Sequence, residues 1–290
     1  ALMIADYTAK TVQDALGVPG ISIPQGYAVT TVPIYKALDK VYDLVLPKKA
    51  DKEADNSGLM NRFGFLKTLA EPLFLGLIIG ILLGILAGYD LKNCLTVGMA
   101  MAALMHLLPR MIKVIMEGLY PISEQTREFM QSRFHGEEFY IGMDSAILLG
   151  LPTTMSVALL LIPITLVLAM VLPINTTLPL GDLASTAYFI SMATPIHKNS
   201  FGRTLISGTI MMGIVLCVAS FFAPMITQFA ATGALAIPEG AVQVTALSAG
   251  NLIGFILYQL SKFRLLGSAI IVVLTGGIIY FFKKLAKKES

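Results

Sequence analysis

Charge is what this sequence lacks most. Only 13% of its 290 residues are Asp, Glu, Lys or Arg, while 56% are hydrophobic and the mean hydropathy is +0.76. Soluble domains carry about 25% charged residues, so an ordinary soluble fold is excluded. A net charge of +3 offers nucleic acid no concentrated basic face. Cysteine is scarce too: Cys94 and Cys217 both fall inside apolar runs and read as buried thiols acting as small apolar residues. The three histidines, His106, His135 and His197, are too scattered to suggest a metal set. His106 reads as packed within a span, and His135 and His197 as interfacial residues beside charged turns. No HExxH, CxxC, GxSxG or Gly-rich phosphate loop ending in Lys is present. Enzymatic chemistry carried by this chain alone is not expected.

What the sequence has instead is long uncharged runs. Pro72–Tyr89, Asn93–Pro109, Ser145–Gly181, Thr204–Pro238 and Leu265–Phe282 contain no charged residue. A helix needs about 20 residues to cross a hydrocarbon core. The runs are continuous rather than alternating, which argues against a β-barrel. The fold class is therefore an all-α polytopic membrane protein.

Punctuation divides the chain into six segments. Residues 1–36 read as an interfacial helix followed by an interrupted stretch, GISIPQGYAVTTVPIYK, broken by Pro24, Gly26 and Pro33. Such backbone is tolerated at membrane depth only inside protein or beside a watery cavity. It reads as a re-entrant or broken helix, with a surface loop as the alternative. Residues 37–67 read as a polar cytoplasmic loop, and 68–109 as a transmembrane hairpin. In that hairpin Gly76, Gly80, Gly84 and Gly88 recur every fourth residue, a small-residue face for close helix packing. Residues 110–139 read as a cytoplasmic amphipathic segment, with a helix beginning at Pro121. Residues 140–224 hold a second interrupted stretch and core spans, including a short one at Leu183–Thr194. Residues 225–290 hold the last spans and the basic tail KKLAKK. The positive-inside rule places both basic loops and the tail in the cytoplasm. Three full crossings after Arg203 would leave the tail outside, so Val242–Leu260 is expected not to cross fully.

Two stretches share an unusual form. Ile23–Thr31 combines a break with Gln25, Thr30 and Thr31; Tyr140–Thr154 combines one with Asp144, Thr153 and Thr154. Interrupted helices are where transporters place substrate sites, and an acid at membrane depth is costly unless it has a function. Asp144 also fits a plain N-cap for a helix beginning at Ser145, and the two roles are compatible. Gln25 offers both a donor and an acceptor, which suits a neutral polyol. Asp182 in LPLGDLAST and Glu71 before Pro72 read as structural helix entrances.

These stretches also carry a resemblance. AEPLFLGLIIGILLGILAGYD, LMHLLPRMIKVIMEGLYPISEQTREFMQSRF, EEFYIGMDSAILLG, LPLGDLA and GRTLISGTIMM resemble, in the same order, the galactitol-type IIC membrane component of the bacterial sugar phosphotransferase system. The resemblance runs from Gly20 to about Met212. It implies an elevator-type transporter with core and scaffold domains, a homodimer in the bacterial inner membrane. It implies a polyol substrate and no cofactor or metal. The phosphate would come from a cysteine of cytosolic IIB, supplied through IIA and HPr. The IPQG and IGMD turns would form two halves of a pocket, with Gln25, Asp144, Thr30, Thr31 and Thr153 as substrate-binding residues. Galactitol members read IPHG where this chain has IPQG, which leaves the polyol open; ascorbate is an alternative. The chain begins well inside the family pattern, about a third of which is expected upstream. A non-transporting module that assembles with a separate N-terminal half is the competing expectation. An ion- or proton-coupled carrier is disfavoured, because no second buried acid is apparent for a proton relay.

Overall fold

The computed structural model describes residues 1–45, 72–133, 140–179, 182–232, 243, 245–263 and 267–277. Most of them are helical. Helix α1 (Leu2–Leu16) buries Ala5, Thr8, Ala9 and Val12, the i, i+3, i+4, i+7 stripe of an amphipathic helix. Gly17 ends it with φ 70°, its N–H bonded to the Gln13 carbonyl at 2.8 Å, a left-handed cap that favours glycine. The two-residue strand β1 (Ile21–Ser22) follows, then α2 (Gly26–Val45).

The break in the first interrupted stretch falls at Pro24–Gln25, and α2 runs straight through Pro33. It also continues to Val45, so the first nine residues of the expected 37–67 loop are helical; the remainder lies outside the described residues. The polar residues of that part belong to a helix face. Tyr35, Asp39, Tyr42 and Asp43 are spaced to share one side of α2, and that side meets the core.

Helices α3 (Pro72–Leu86) and α4 (Leu91–Arg133) form a hairpin around Gly88, whose φ is 73°. Its glycines permit backbone contact. A Cβ on Gly76 would lie 2.7 Å from the Met101 carbonyl oxygen, one on Gly80 2.8 Å from Gly98 Cα, and one on Gly84 2.9 Å from Cys94 Cα. Helix α4 passes Pro109 and Pro121 without ending, so neither the expected boundary at 109/110 nor the helix start at Pro121 interrupts the chain. An internal proline removes one backbone bond, and the Leu, Met, Ile and Glu residues around these two are good enough helix formers to carry the helix past them. At 43 residues the helix is roughly 65 Å long, about twice a hydrocarbon core.

Strand β2 (Ile141–Gly142), a 3₁₀ turn (Ser145–Gly150) and α5 (Pro152–Val171) come next. The expected span at Leu183–Thr194 is two short helices, α6 (Ser185–Ile190) and α7 (Ala193–Ile196), before the long α8 (Phe201–Thr232). A second 3₁₀ turn (Leu247–Ala249) leads into α9 (Leu252–Ser261), capped by the Asn251 side chain on Gly254 N. Its ten residues reach about 15 Å, half of a crossing. The last described helix is α10 (Gly267–Gly277).

Tyr35, Phe189, Leu161, Met211, Met212 and Leu216 are fully buried where α2, α5, α6 and α8 meet. Gly208 lets α8 approach α5, since a Cβ there would sit 2.6 Å from Leu161 Cδ1. The hairpin packs on α5 through Ile79, Met105, Met155 and Leu159. Among the described residues, Leu91–Thr126, Pro152–Val171 and Phe201–Thr232 are long and apolar enough to cross a membrane.

Candidate functional site

The two interrupted stretches meet. β1 and β2 pair in parallel, Ile21 opposite Ile141 and Ser22 opposite Gly142. Ile141 N donates to the Gly20 carbonyl and Met143 N to the Ser22 carbonyl, each at 2.8 Å. Gly142 packs closely on the break: a Cβ there would lie 3.0 Å from Pro24 Cγ, tighter than an ordinary contact. On the α1 side, Gln13 Nε2 donates to the Ile21 carbonyl at 3.0 Å. A strand pair this short is stable only because both ends are already held by helices.

The ladder delivers Gln25 beside Ser145. The Ser145 hydroxyl donates to Gln25 Oε1, and Ser145 is fully buried while Gln25 is half-buried. With its oxygen so engaged, the Gln25 amide keeps two N–H donors for another partner. Asp144 is exposed and caps the 3₁₀ turn, Oδ1 accepting from Ala146 N at 2.7 Å. A carboxylate has further lone pairs beyond the one used in the cap.

The threonines point to other tasks. Thr30 and Thr31 are buried and donate back to the carbonyls of Tyr27 (3.2 Å) and Ala28 (2.7 Å). Thr153 donates to the Asn199 carbonyl at 3.4 Å, which ties it to the turn before α8. The structure therefore pairs Gln25 with Ser145, next to Asp144 in the chain, and gives the three threonines backbone carbonyls as their hydrogen-bond partners. Ser145 itself gave no signal in sequence beyond lying next to Asp144.

A cavity of about 470 Å³ adjoins the same turn, lined by Leu16, Gly17, Lys113, Glu117, Ile147 and Gly150 among others. That volume is in the range of small-molecule sites. Neither Gln25 nor Asp144 lines it.

A second polar group lies at the far end of α2. His197, beside its charged turn, is buried in the protein: it is 2% exposed, with Nδ1 2.8 Å from Asp39 Oδ1. Arg203 Nη1 donates to Asp39 Oδ1 at 3.2 Å and to Asp43 Oδ1 at 2.9 Å. Tyr42 and Ser207 share a hydroxyl hydrogen bond at 3.0 Å. Burial pushes the His197 imidazole below its ordinary 6.5, with the Asp39 hydrogen bond opposing. Lys198 and Asn199 both have positive φ, 52° and 61°, which makes the turn carrying His197 unusually tight. Asp182 is more than a cap: Oδ1 accepts from Ser185 and Oδ2 from Ser248 N at 3.0 Å, joining α6 to the second 3₁₀ turn.

A family model for the sugar-specific permease component of the phosphotransferase system, EIIC-GAT, matches residues 1–240. The chain belongs to the EIIC-GAT family. Within it, the chain is 42% identical over 284 residues to the Escherichia coli K12 "Putative permease IIC component", covering 98% of this chain and 64% of that one. It is 36% identical over 257 residues to the galactitol-specific EIIC components of the K12 and O157:H7 strains, covering 88% of this chain and 56% of each relative. The chain thus spans somewhat over half the length of these EIIC proteins. No solved structure matches it. Membership of EIIC-GAT and three long apolar helices make this an all-α protein of the bacterial inner membrane.

Proposed function

We propose that this chain is the polyol-handling part of a galactitol-like IIC permease. It binds a sugar alcohol and passes it inward for phosphorylation by IIB. The observation that carries this reading is the junction of the IPQG and IGMD turns, where Ser145 holds Gln25 beside the Asp144 cap. Neutral hydroxyls need paired donors and acceptors rather than charge, and the Gln25 amide with the Asp144 carboxylate supplies both. Likeness to galactitol-specific relatives supports the substrate class.

On this reading the chain is a transport subunit and not an enzyme by itself. The phosphoryl group comes from the IIB cysteine, fed by IIA and HPr. The chain works as a homodimer of elevator type, with Gln25 and Asp144 on the moving core and its basic tail in the cytoplasm. Thr30, Thr31 and Thr153 serve the site by holding α2 and the α5 entrance rather than by touching sugar.

Phosphorylating uptake of labelled galactitol tests this reading. Cells carry the chain, with or without the segment by which its relatives exceed it, together with matching IIA and IIB. Uptake that requires IIB and is lost in Gln25→Ala and Asp144→Asn supports the permease reading. Normal uptake in both variants removes the pocket assignment, and uptake without IIB removes the coupling.

A further inference from the structure

Helix α2 is held against the core at three levels. Near its start, the Tyr27 and Phe189 rings lie 5.3 Å apart. Midway, the Tyr35 hydroxyl donates to the Phe189 carbonyl at 2.9 Å. At its end, Asp39 and Asp43 meet His197 and Arg203. Only the last of these contains a group whose ordinary titration falls between pH 5 and 8.

That group sits where a second proton is unwelcome. His197 Nε2 is buried with no hydrogen-bond partner among the described residues. In the tautomer with its proton on Nδ1, the arrangement is complete. The N–H donates to Asp39, and Nε2 is a bare lone pair, with the Tyr35 and Tyr42 rings standing edge-on to the imidazole, centroids 6.0 and 5.6 Å away. Another proton must go to Nε2, making a buried N–H without an acceptor.

The surrounding charges do not supply that acceptor. Asp39 already receives Nδ1 and Arg203, and Asp43 is paired with Arg203. Asp39 and Asp43 attract an imidazolium and Arg203 repels it, but burial outweighs the two carboxylates. Helices α1 and α5 also pack beside this turn. α5 contains no charged residue, and the charged side chains of α1 (Asp6, Lys10 and Asp14) take no part in the electrostatic surroundings of His197.

We propose that His197 is a proton-operated clasp on α2. Singly protonated, it holds the helix end through Asp39. Doubly protonated, it leaves its pocket and loosens Lys36–Val45, which then keeps only the Arg203 pairs and the Tyr42–Ser207 hydrogen bond. Resting on the reading of Gln25 as a polyol ligand, His197 is then also a positioning residue: Gln25 lies 14 residues up the chain from Asp39, about 21 Å along the helix axis.

Hydrogen exchange of the full chain in detergent micelles, without sugar, tests the clasp. Protection of Lys36–Val45, corrected for the intrinsic pH dependence of exchange, is compared at pH 7.5 and 5.5. The wild type is expected to lose up to about tenfold per pH unit below the point where His197 takes its second proton, while α3 keeps its protection. His197→Asn retains a donor toward Asp39 but cannot titrate, and is expected to be equally protected at both pH values. Equal wild-type protection at the two pH values overturns the proposal, as does a loss in His197→Asn as large as in wild type. Should that variant fail to fold, ¹⁵N shifts of the wild-type imidazole decide: a charged ring with α2 still protected overturns the clasp. Galactitol affinity is measured alongside. If α2 is released and affinity is undiminished, the positioning role fails while the clasp stands.

Discussion

Ser145 donates a hydrogen bond to Gln25 across 120 residues of sequence. The bond fixes the side chain of one interrupted stretch by the backbone position of the other. Ser145→Ala removes the donor and leaves Gln25 Oε1 without its partner, a loss of about 1 kcal/mol, equivalent to roughly a fivefold weaker affinity if it is all expressed in binding. Calorimetric titration of the purified protein with galactitol checks this. An unchanged affinity would mean that Gln25 is held by something other than Ser145.

Asp144 has two separable roles. Asparagine caps as well as aspartate, whereas alanine costs about 1 kcal/mol at an N-cap. Asp144→Ala is therefore expected to lower the thermal unfolding midpoint and Asp144→Asn to leave it nearly unchanged. Uptake is expected to fall in both. If uptake follows the unfolding midpoint across the two variants, Asp144 is a cap and nothing more.

Burial lowers the folded-state pKa of His197 below 6.5. Between that lowered value and 6.5 the unfolded chain binds more protons than the folded one, so stability falls as pH falls through this window. Above pH 6.5 the contribution is complete. Thermal unfolding in detergent is expected to show a lower midpoint at pH 5.5 than at pH 7.5. The difference should shrink in His197→Asn, and an equal difference there would assign the acid sensitivity to another group.

The hairpin glycines divide into two kinds. Gly80 faces backbone, with Gly98 Cα and the Val97 carbonyl oxygen each 2.8 Å from where its Cβ would stand, while Gly118 has nothing within 4 Å. Gly80→Val is expected to destabilise by at least 1–3 kcal/mol, approximately the cost of overpacking. Gly118→Ala is expected to be neutral or to gain up to about 1 kcal/mol from helix propensity. Unfolding midpoints of the two variants check the contrast, and a tolerated Gly80→Val would mean the hairpin is looser than its geometry.

What was legible in the sequence was whatever a local pattern encodes. The four-residue glycine spacing announces a close helix pair because i and i+4 share a face whatever the partner. The breaks at Pro24 and before Pro152 were visible because proline acts on its own backbone. Charged residues misled where the helix face was hidden: ALDKVYD fell within the expected 37–67 loop, yet it is helical and Asp39 and Asp43 pair with the buried Arg203. Pro121 misled in the opposite sense, since a proline that can start a helix can also sit inside one.

Composition and run length by themselves determined the solvent of this protein, the helical class, and the two stretches where the helix is interrupted. These are sums over neighbouring residues, and they need no partner to be read. Only the tertiary structure decided that Gln25 meets Ser145, that Thr31 faces the core, and that His197 is buried against Asp39, 158 residues away. Such pairings leave no periodic trace in the chain, because each is made by helices whose packing, and not whose sequence spacing, sets which polar groups meet.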